Sequence, residues 1–307
     1  MSGLLLVAAA AGIWRAFFAM PPTPLSEAAF VQAYAYPATS GPVEASPRDP
    51  APLTLVPDGP LKARFQYRGF DGDRVHGFIE WPADPTTPPP QGFPLLLGIS
   101  AMGHSAQRWW HAEYKGRPTI TETHQIRALA IAAGYAVVSI DNRYTDSRKD
   151  PAHEIDDIMW ELHVYGDKSR YQKMVHGTVM DLRQLLDKLA LQPELDLRRL
   201  TVAGYSMGAQ VGLLLTGVDQ RVQRLIAMVP PHLDDRTAVV AAKNAAPLIR
   251  QASVLLLTAD DDPYASPEQN AALFAAIASA DKRHLRHDSG HVLPANYLDA
   301  LRPLFSR

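Results

Sequence analysis

The chain has 307 residues, of which 47% are hydrophobic, and its 30 Lys and Arg against 32 Asp and Glu give a formal charge of -2. This is enough for one large α/β domain or two small ones. The balanced charge offers no basic field that would attract nucleic acid, so we expect no nucleic-acid partner. The absence of cysteine excludes disulfides, thiolate catalysis and cysteine-ligated metals. The 11 histidines show no H-E-x-x-H spacing, and we expect neither a metal nor a cofactor.

The first segment, residues 1–20, is apolar from Leu4 to Met20 except for Arg15. It fits a signal sequence or a membrane anchor, although it lacks early Lys or Arg and an A-x-A cleavage site. The alternative is an amphipathic helix packed on the domain. We favour export to the periplasm or medium, or membrane attachment, with membrane contact only through this segment. A cytoplasmic location stays open.

Residues 21–60 contain ten prolines and few periodic apolar positions, which predicts an extended linker. We place the compact domain at residues 61–307. Its first element is an antiparallel hairpin, because Leu61–Phe70 and Arg74–Trp81 alternate polar and apolar residues around a turn at Asp71–Asp73.

The pattern changes at Pro94–Ile99, a continuously apolar run typical of a strand that is buried on both faces. Helices and strands alternate from there on. The predicted strands are 135–140, 200–203, 222–228, 254–258 and 283–286. The predicted helices are 121–133, 173–191, 207–216, 238–249, 267–278 and 294–305. This order predicts a mostly parallel, doubly wound α/β sheet without a large cap domain, in which the connection 141–175 could shape a pocket.

The stretch Thr201–Gln210 reads as strand, sharp turn and helix around G-Y-S-M-G. Gly204 and Gly208 would leave room for a tight turn that exposes Ser206 Oγ. The Met207 N–H would then lie at a helix start, where unsatisfied donors favour an anion, and would form half of an oxyanion hole. Such a short pattern also occurs by chance, so it needs an acid and a histidine downstream.

Both are present in the order that this turn requires. The strand 254–258 runs into Asp260, Asp261 and Asp262, and His291 follows the last predicted strand. The carboxyl ends of parallel strands meet at one edge of the sheet, where function gathers. His291 would take the proton of Ser206, and one of the three carboxylates would orient the imidazole. The residues alone leave open which carboxylate does so.

Other residues near this edge have two interpretations each. Trp109 and Trp110, with His111, could line an apolar or sugar-stacking pocket or anchor a loop as buried indoles. For Asp181, inside a predicted helix, we favour a structural role, as a carboxylate on the helix surface or as a loop anchor.

The chain resembles the α/β-hydrolase superfamily, and within it the dienelactone-hydrolase and acyl-peptidase-like esterases. The resemblance covers roughly Leu61–Arg307. Beyond G-Y-S-M-G, the similar stretches are Gly134–Asp141, Asp181–Leu186, Asp196–Leu200 and Asp219–Val222.

The resemblance implies that Asp262 is the acid, with Ala259 at a position where the family usually has glycine. Asp260 and Asp261 remain competitors. The resemblance also implies that the Met102 N–H is the second oxyanion donor. The family commonly has His-Gly before that donor, whereas this chain has Ser100-Ala101, so the Ala101 N–H is an alternative.

We therefore predict a serine hydrolase of carboxylic esters with Ser206, His291 and Asp262 as its catalytic residues, acting on a small-molecule ester. One alternative is a peptidase or amidase with the same residues, and another is a non-catalytic binding protein of the same fold. Neither the acyl and alcohol groups of the substrate nor the oligomeric state can be derived from the sequence.

Overall fold

The computed structural model describes residues 20–36 and 52–305. The strands are β1 (Leu55–Pro57), β2 (Lys62–Arg68), β3 (Arg74–Glu80), β4 (Phe93–Ile99), β5 (Glu113–Tyr114), β6 (Arg117–Pro118), β7 (Ala136–Ile140), β8 (Leu195–Tyr205), β9 (Val222–Met228), β10 (Ser253–Ala259) and β11 (Lys282–His287). The α-helices are α1 (Glu27–Ala33), α2 (Thr123–Ala132), α3 (Ile155–Trp160), α4 (Ser169–Leu189), α5 (Met207–Val218), α6 (Ala242–Ala245), α7 (Pro267–Ala276) and α8 (Arg302–Phe305).

Within these residues a nine-stranded sheet has the order β1-β2-β3-β7-β4-β8-β9-β10-β11. The six strands from β7 to β11 pair in parallel, whereas β1, β2 and β3 pair antiparallel and join the sheet through β7. The predicted mostly parallel sheet with an antiparallel N-terminal hairpin is thereby confirmed.

Both faces of the sheet are covered. All seven residues of β4 are buried, as its continuously apolar sequence requires. The core on one face includes residues of α4 and α5, and the core on the other face includes residues of α2 and α8. Side chains of a strand point alternately to the two faces, so both cores draw on the same strands.

Two predicted helices are interrupted. The segment predicted as a helix over 238–249 consists of short pieces, namely a 3₁₀ helix at Asp235–Val240, α6, and a 3₁₀ helix at Ala246–Leu248. The Asn244 side chain bonds to the Ala238 carbonyl, and Pro247 lacks an N–H, so no continuous helical ladder forms.

The predicted final helix is likewise a 3₁₀ helix at Ala295–Ala300 followed by the short α8. Pro303 cannot donate a hydrogen bond to the preceding turn, and this removes one bond of a continuous α-helix. The Tyr297 hydroxyl inside this segment donates to the Thr121 carbonyl at 2.7 Å and ties it to the body of the domain.

Parts of the predicted linker are folded, which corrects the expectation of an extended segment. Helix α1 begins after Ser26, whose Oγ accepts from the Ala29 N–H, and it buries Phe30. Tyr34, just after α1, is 1% exposed and donates to the Val239 carbonyl at 2.8 Å. The prolines mark the flanks of this helix and do not prevent it. The division of the chain at residue 60 stays a prediction.

Residues 1–19 lie outside the described residues, as do 37–51, so the proposed signal or anchor at Leu4–Met20 stays a prediction. In the described ranges, no helix is both long enough and apolar enough to cross a bilayer.

A buried ion-pair cluster holds the connection between β7 and α4. Asp181 in α4 is fully buried and accepts from Arg143 Nε at 3.0 Å and from Arg148 Nη1 at 2.8 Å. Both arginine side chains are less than a tenth exposed. Of the two structural roles expected for Asp181, these contacts correspond to loop anchoring, and its burial is inconsistent with a place on the helix surface.

Replacing Asp181 with Asn is expected to lower the free energy of unfolding by about 3–5 kcal/mol, because buried Arg148 loses its close ion-pair partner and buried Arg143 keeps only Asp71 and Asp73. Asp299→Asn is the matched control, since Asp299 is 72% exposed and pairs with Arg302 at the surface. The control should change stability by about 1 kcal/mol or less. Urea unfolding followed by circular dichroism measures both, and equal effects of the two changes would contradict the prediction.

Candidate active site

The stretch around Ser206 folds as strand, sharp turn and helix. Ser206 lies between β8 and α5 with φ 56° and ψ -120°, a conformation that side chains rarely adopt. A Cβ on Gly204 would lie 2.1 Å from the Gly208 carbonyl oxygen, and one on Gly208 would lie 2.2 Å from the Ile99 carbonyl oxygen. Both positions therefore require glycine, as the motif predicts. The Ser206 N–H donates to the Met228 carbonyl at 2.8 Å, which joins the turn to β9.

Ser206, His291 and Asp262 are in hydrogen-bond contact. His291 Nε2 lies 2.8 Å from Ser206 Oγ. On the other side of the ring, Nδ1 lies 3.0 and 2.9 Å from the two carboxylate oxygens of Asp262. A carboxylate oxygen beside Nδ1 favours the histidine tautomer that carries its proton on Nδ1. In this tautomer Nε2 is free to accept a proton from the serine hydroxyl.

The local backbone positions the acid. Asp262 follows β10, and its side chain is 1% exposed. The Tyr264 N–H donates to Asp262 Oδ1 at 2.9 Å, so the carboxylate is held by a backbone donor as well as by the imidazole. The Tyr264 ring lies edge-on to the His291 ring with centroids 4.7 Å apart.

The other two candidate acids have different partners. Asp260 Oδ1 accepts from Arg286 Nε at 2.9 Å at the protein surface. The Asp261 N–H donates to the Ser289 carbonyl at 3.0 Å and supports the loop that carries His291. Among the described residues, Asp262 is the carboxylate in contact with the imidazole.

Tyr205 ties the histidine loop to the serine turn, and the sequence analysis did not single it out. Its hydroxyl donates to the His291 carbonyl at 3.0 Å and accepts from the Leu293 N–H at 2.8 Å. Burial raises the pKa of Tyr205 to about 12, so the hydroxyl keeps its proton at neutral pH. A tyrosine directly before the serine of the motif is the only sequence signal of this contact.

The two expected oxyanion donors lie at the same cavity as Ser206. Met207 is the first residue of α5, so its N–H has no acceptor within the helix. Met102 lies in a turn closed by the bond from the His104 N–H to the Ala101 carbonyl, with Gly103 at φ 73°. The Asn142 side chain fixes the start of this turn by donating to the Ser100 carbonyl at 2.8 Å. Whether Met102 or Ala101 supplies the second donor stays a prediction.

A cavity of about 310 Å³ opens at Ser206 and His291. One wall comes from the connection between β7 and α4, which contributes Met159, Leu162 and His163, and from Tyr171 in α4. The long connection therefore helps to shape a pocket, as its length indicates. Part of this wall is a π-helix at Glu161–Tyr165, a form found frequently at functional sites.

Trp109 and Trp110 do not line this cavity. Trp109 is fully buried in the core, and Trp110 donates through its indole N–H to Glu80 at 2.7 Å. Both tryptophans therefore act as loop anchors, the second of the two roles considered from the sequence.

Within the described ranges no three His, Cys, Asp or Glu side chains lie close enough to hold a metal ion.

Comparisons with known proteins agree with this architecture. No protein-family model matches the chain, and no curated protein sequence matches it. Several solved structures do match the chain. An acetyl xylan esterase from Paenibacillus sp. R4 has a TM-score of 0.63 at 18% identity, covering 93% of this chain and 95% of its own. Acetyl xylan esterase 1 from Thermoanaerobacterium sp. JW/SL YS485 has a TM-score of 0.66 at 16% identity, covering 96% and 97%.

A putative dipeptidyl aminopeptidase IV from Bacteroides ovatus also matches, with a TM-score of 0.57 at 15% identity. The match covers 84% of this chain but 36% of that protein. At these identities the similarity defines the fold, and this chain has the α/β-hydrolase fold expected from the sequence.

Proposed function

We propose that this protein is a serine hydrolase that cleaves carboxylic esters through an acyl-enzyme on Ser206. The observation that carries the proposal is the continuous hydrogen-bond chain from Asp262 through His291 to Ser206 Oγ. The fold of the esterases that the chain is similar to supports the same reaction class.

In the proposed mechanism His291 Nε2 accepts the proton of Ser206 as Oγ bonds to the carbonyl carbon of the ester. Asp262 stabilises the imidazolium without taking its proton. The Met207 N–H and a donor from Ala101 or Met102 bind the oxyanion. The carbon–oxygen bond to the alcohol then breaks, and the alcohol leaves with the proton from His291.

Deacylation repeats these steps with water. His291 takes a proton from a water molecule, whose oxygen bonds to the acyl carbon. The ester bond to Ser206 breaks, Oγ recovers its proton from the imidazolium, and the carboxylic acid leaves. The described residues hold every group that these steps require, so no cofactor enters the proposal.

The two alternatives stay open. A peptidase or amidase would use the same groups against a poorer leaving group, and a binding protein of this fold would catalyse nothing. The hydrogen-bonded serine favours catalysis over binding alone, because a merely structural serine needs no histidine and buried acid aligned behind it.

Purified protein is expected to hydrolyse short-chain p-nitrophenyl esters and to be labelled covalently by a fluorophosphonate at Ser206. Mass spectrometry of the labelled tryptic peptide identifies the modified residue. A panel of esters and amides with the same acyl groups separates the esterase from the amidase. The proposal fails if neither hydrolysis nor labelling occurs.

A further inference from the structure

The cavity at Ser206 is lined mainly by apolar side chains. They come from separate parts of the chain that meet at the carboxyl edge of the sheet, and include Met102, Ile120, Met159, Leu162, Leu233 and Val292. Ile120 and Val292 are about half exposed and lie at the mouth of the cavity, whereas Leu162 is almost completely buried. An occupant that enters the cavity therefore exchanges water for apolar contacts.

No Asp, Glu, Lys or Arg is found among the described residues that line the cavity. Asp262, the carboxylate in contact with His291, lies behind the imidazole, and its side chain is 1% exposed. Both of its oxygens are already engaged, by His291 and by the Tyr264 N–H. The Asp262 carboxylate therefore has no unengaged oxygen for a cationic substrate group, and its negative charge would repel an anionic substrate group.

The polar side chains that line the cavity carry hydroxyl and imidazole groups. Burial, with the nearby Arg108 guanidinium as a second cause, lowers the pKa of His104 to about 4. Burial also lowers the pKa of His232. Both imidazoles are therefore neutral at pH 7 and present no positive charge to a carboxylate.

A cavity lined by charged side chains does occur elsewhere in this chain. A second cavity of about 400 Å³ is lined by Arg74, Arg143, Arg148, Lys149 and Lys173 together with Asp73 and Asp150. Charged lining is thus present elsewhere on the protein, and its absence at Ser206 is a property of that site.

We propose that the site accepts esters whose acyl and alcohol groups are uncharged and apolar near the scissile bond, and that it rejects esters carrying a carboxylate or ammonium there. The inference rests on the proposed function and names its substrate class. An ion in this cavity would lose hydration and find no Asp, Glu, Lys or Arg side chain among the described lining residues to pair with, which costs far more than moving a methyl group into the same place.

The experiment compares three ethyl esters of similar length by the ethanol that they release: the valerate, the hydrogen succinate with its carboxylate, and the ester of γ-aminobutyric acid with its ammonium group. We expect kcat/KM for the valerate to exceed that for each charged ester by about tenfold or more, since every 1.4 kcal/mol of unfavourable ion burial gives a factor of ten. Spontaneous hydrolysis is subtracted with a protein-free sample of each ester.

A charge introduced into the cavity provides the second measurement. Ile120→Lys places an ammonium at the mouth, where a half-exposed side chain can be replaced without opening the core. It should reduce the preference for the valerate over the hydrogen succinate severalfold, and added salt should weaken this effect. Leu191→Lys is the matched control, because Leu191 is 47% exposed and does not line the cavity. It should leave the preference unchanged.

The outcomes separate the two proposals. Equal rates for all three esters, a preference for a charged ester, or identical behaviour of Ile120→Lys and Leu191→Lys would overturn the inference while leaving the esterase intact. A protein that cleaves none of the esters and is not labelled by a fluorophosphonate would overturn the proposed function, and this inference with it.

Discussion

Ser206→Ala is expected to lower kcat for ester hydrolysis by about 10⁴-fold or more, because the variant lacks the oxygen that would form the proposed acyl-enzyme. Alanine removes one atom from the partly buried Ser206 and leaves the glycine contacts of the turn in place, so the fold should persist. The remaining activity would come from oxyanion binding and substrate positioning alone. Steady-state kinetics with p-nitrophenyl butyrate measures the loss, and circular dichroism checks the fold.

Ser169→Ala serves as the comparison. Ser169 is an exposed serine at the start of α4 and does not line the cavity. Its variant should keep full activity and full fluorophosphonate labelling, whereas Ser206→Ala should lose both. Ordinary turnover by Ser206→Ala would mean that another group is the nucleophile.

Asp262→Asn is expected to lower kcat by about 10⁴-fold with little change in fold. An asparagine amide can donate to His291 Nδ1, and this selects the tautomer whose proton is on Nε2. In that tautomer Nε2 cannot accept the Ser206 proton, so the histidine stays in place but no longer acts as a base. Steady-state kinetics at pH 7 gives the size of the effect.

Asp260→Asn is the matched control, since Asp260 lies two residues away and pairs with Arg286 at the surface. It removes the same charge from the same turn and should change kcat by about twofold or less. A collapse of activity in Asp260→Asn or Asp261→Asn, with Asp262→Asn close to wild type, would show that the acid has been assigned to the wrong residue.

The parallel core of the fold was predictable because its signals are local. The apolar run of β4, the alternation of β2 and β3, and the repeated change from strand to helix depend on neighbours within a few residues. The structure agrees with these predictions to within a few residues at most boundaries.

The exceptions depend on specific hydrogen bonds. Helix α1 is stabilised by the bond from Tyr34 to Val239, a contact across 205 positions that a proline count does not reveal. The helix predicted over 238–249 is interrupted by a side-chain bond of Asn244. Neither effect has a signature in hydrophobic periodicity.

The residues of the candidate site were likewise predictable only in part from the sequence. Ser206 and His291 could be selected from the residues, because a tight turn and the order along the chain restrict the choices. The order along the chain does not distinguish three consecutive aspartates. Adjacent side chains after a strand point in different directions, and the sequence does not show which one points to the histidine. The resemblance to esterases singled out Asp262, and that carboxylate is the one in contact with His291. The role of Tyr205 depends on where a distant loop returns, which no local pattern encodes.

The backbone of Ser206 has a consequence for the evolution of this chain. A non-glycine residue at φ 56° and ψ -120° costs on the order of 1–3 kcal/mol, which the rest of the fold must offset. Glycine would relieve most of this cost and would keep the turn, but under the proposed mechanism it would also remove the nucleophile. Selection for heat resistance and selection for turnover therefore favour different residues at this one position. A search for more stable variants of the protein should therefore measure activity as well as stability. A search on stability alone would favour variants that lack activity.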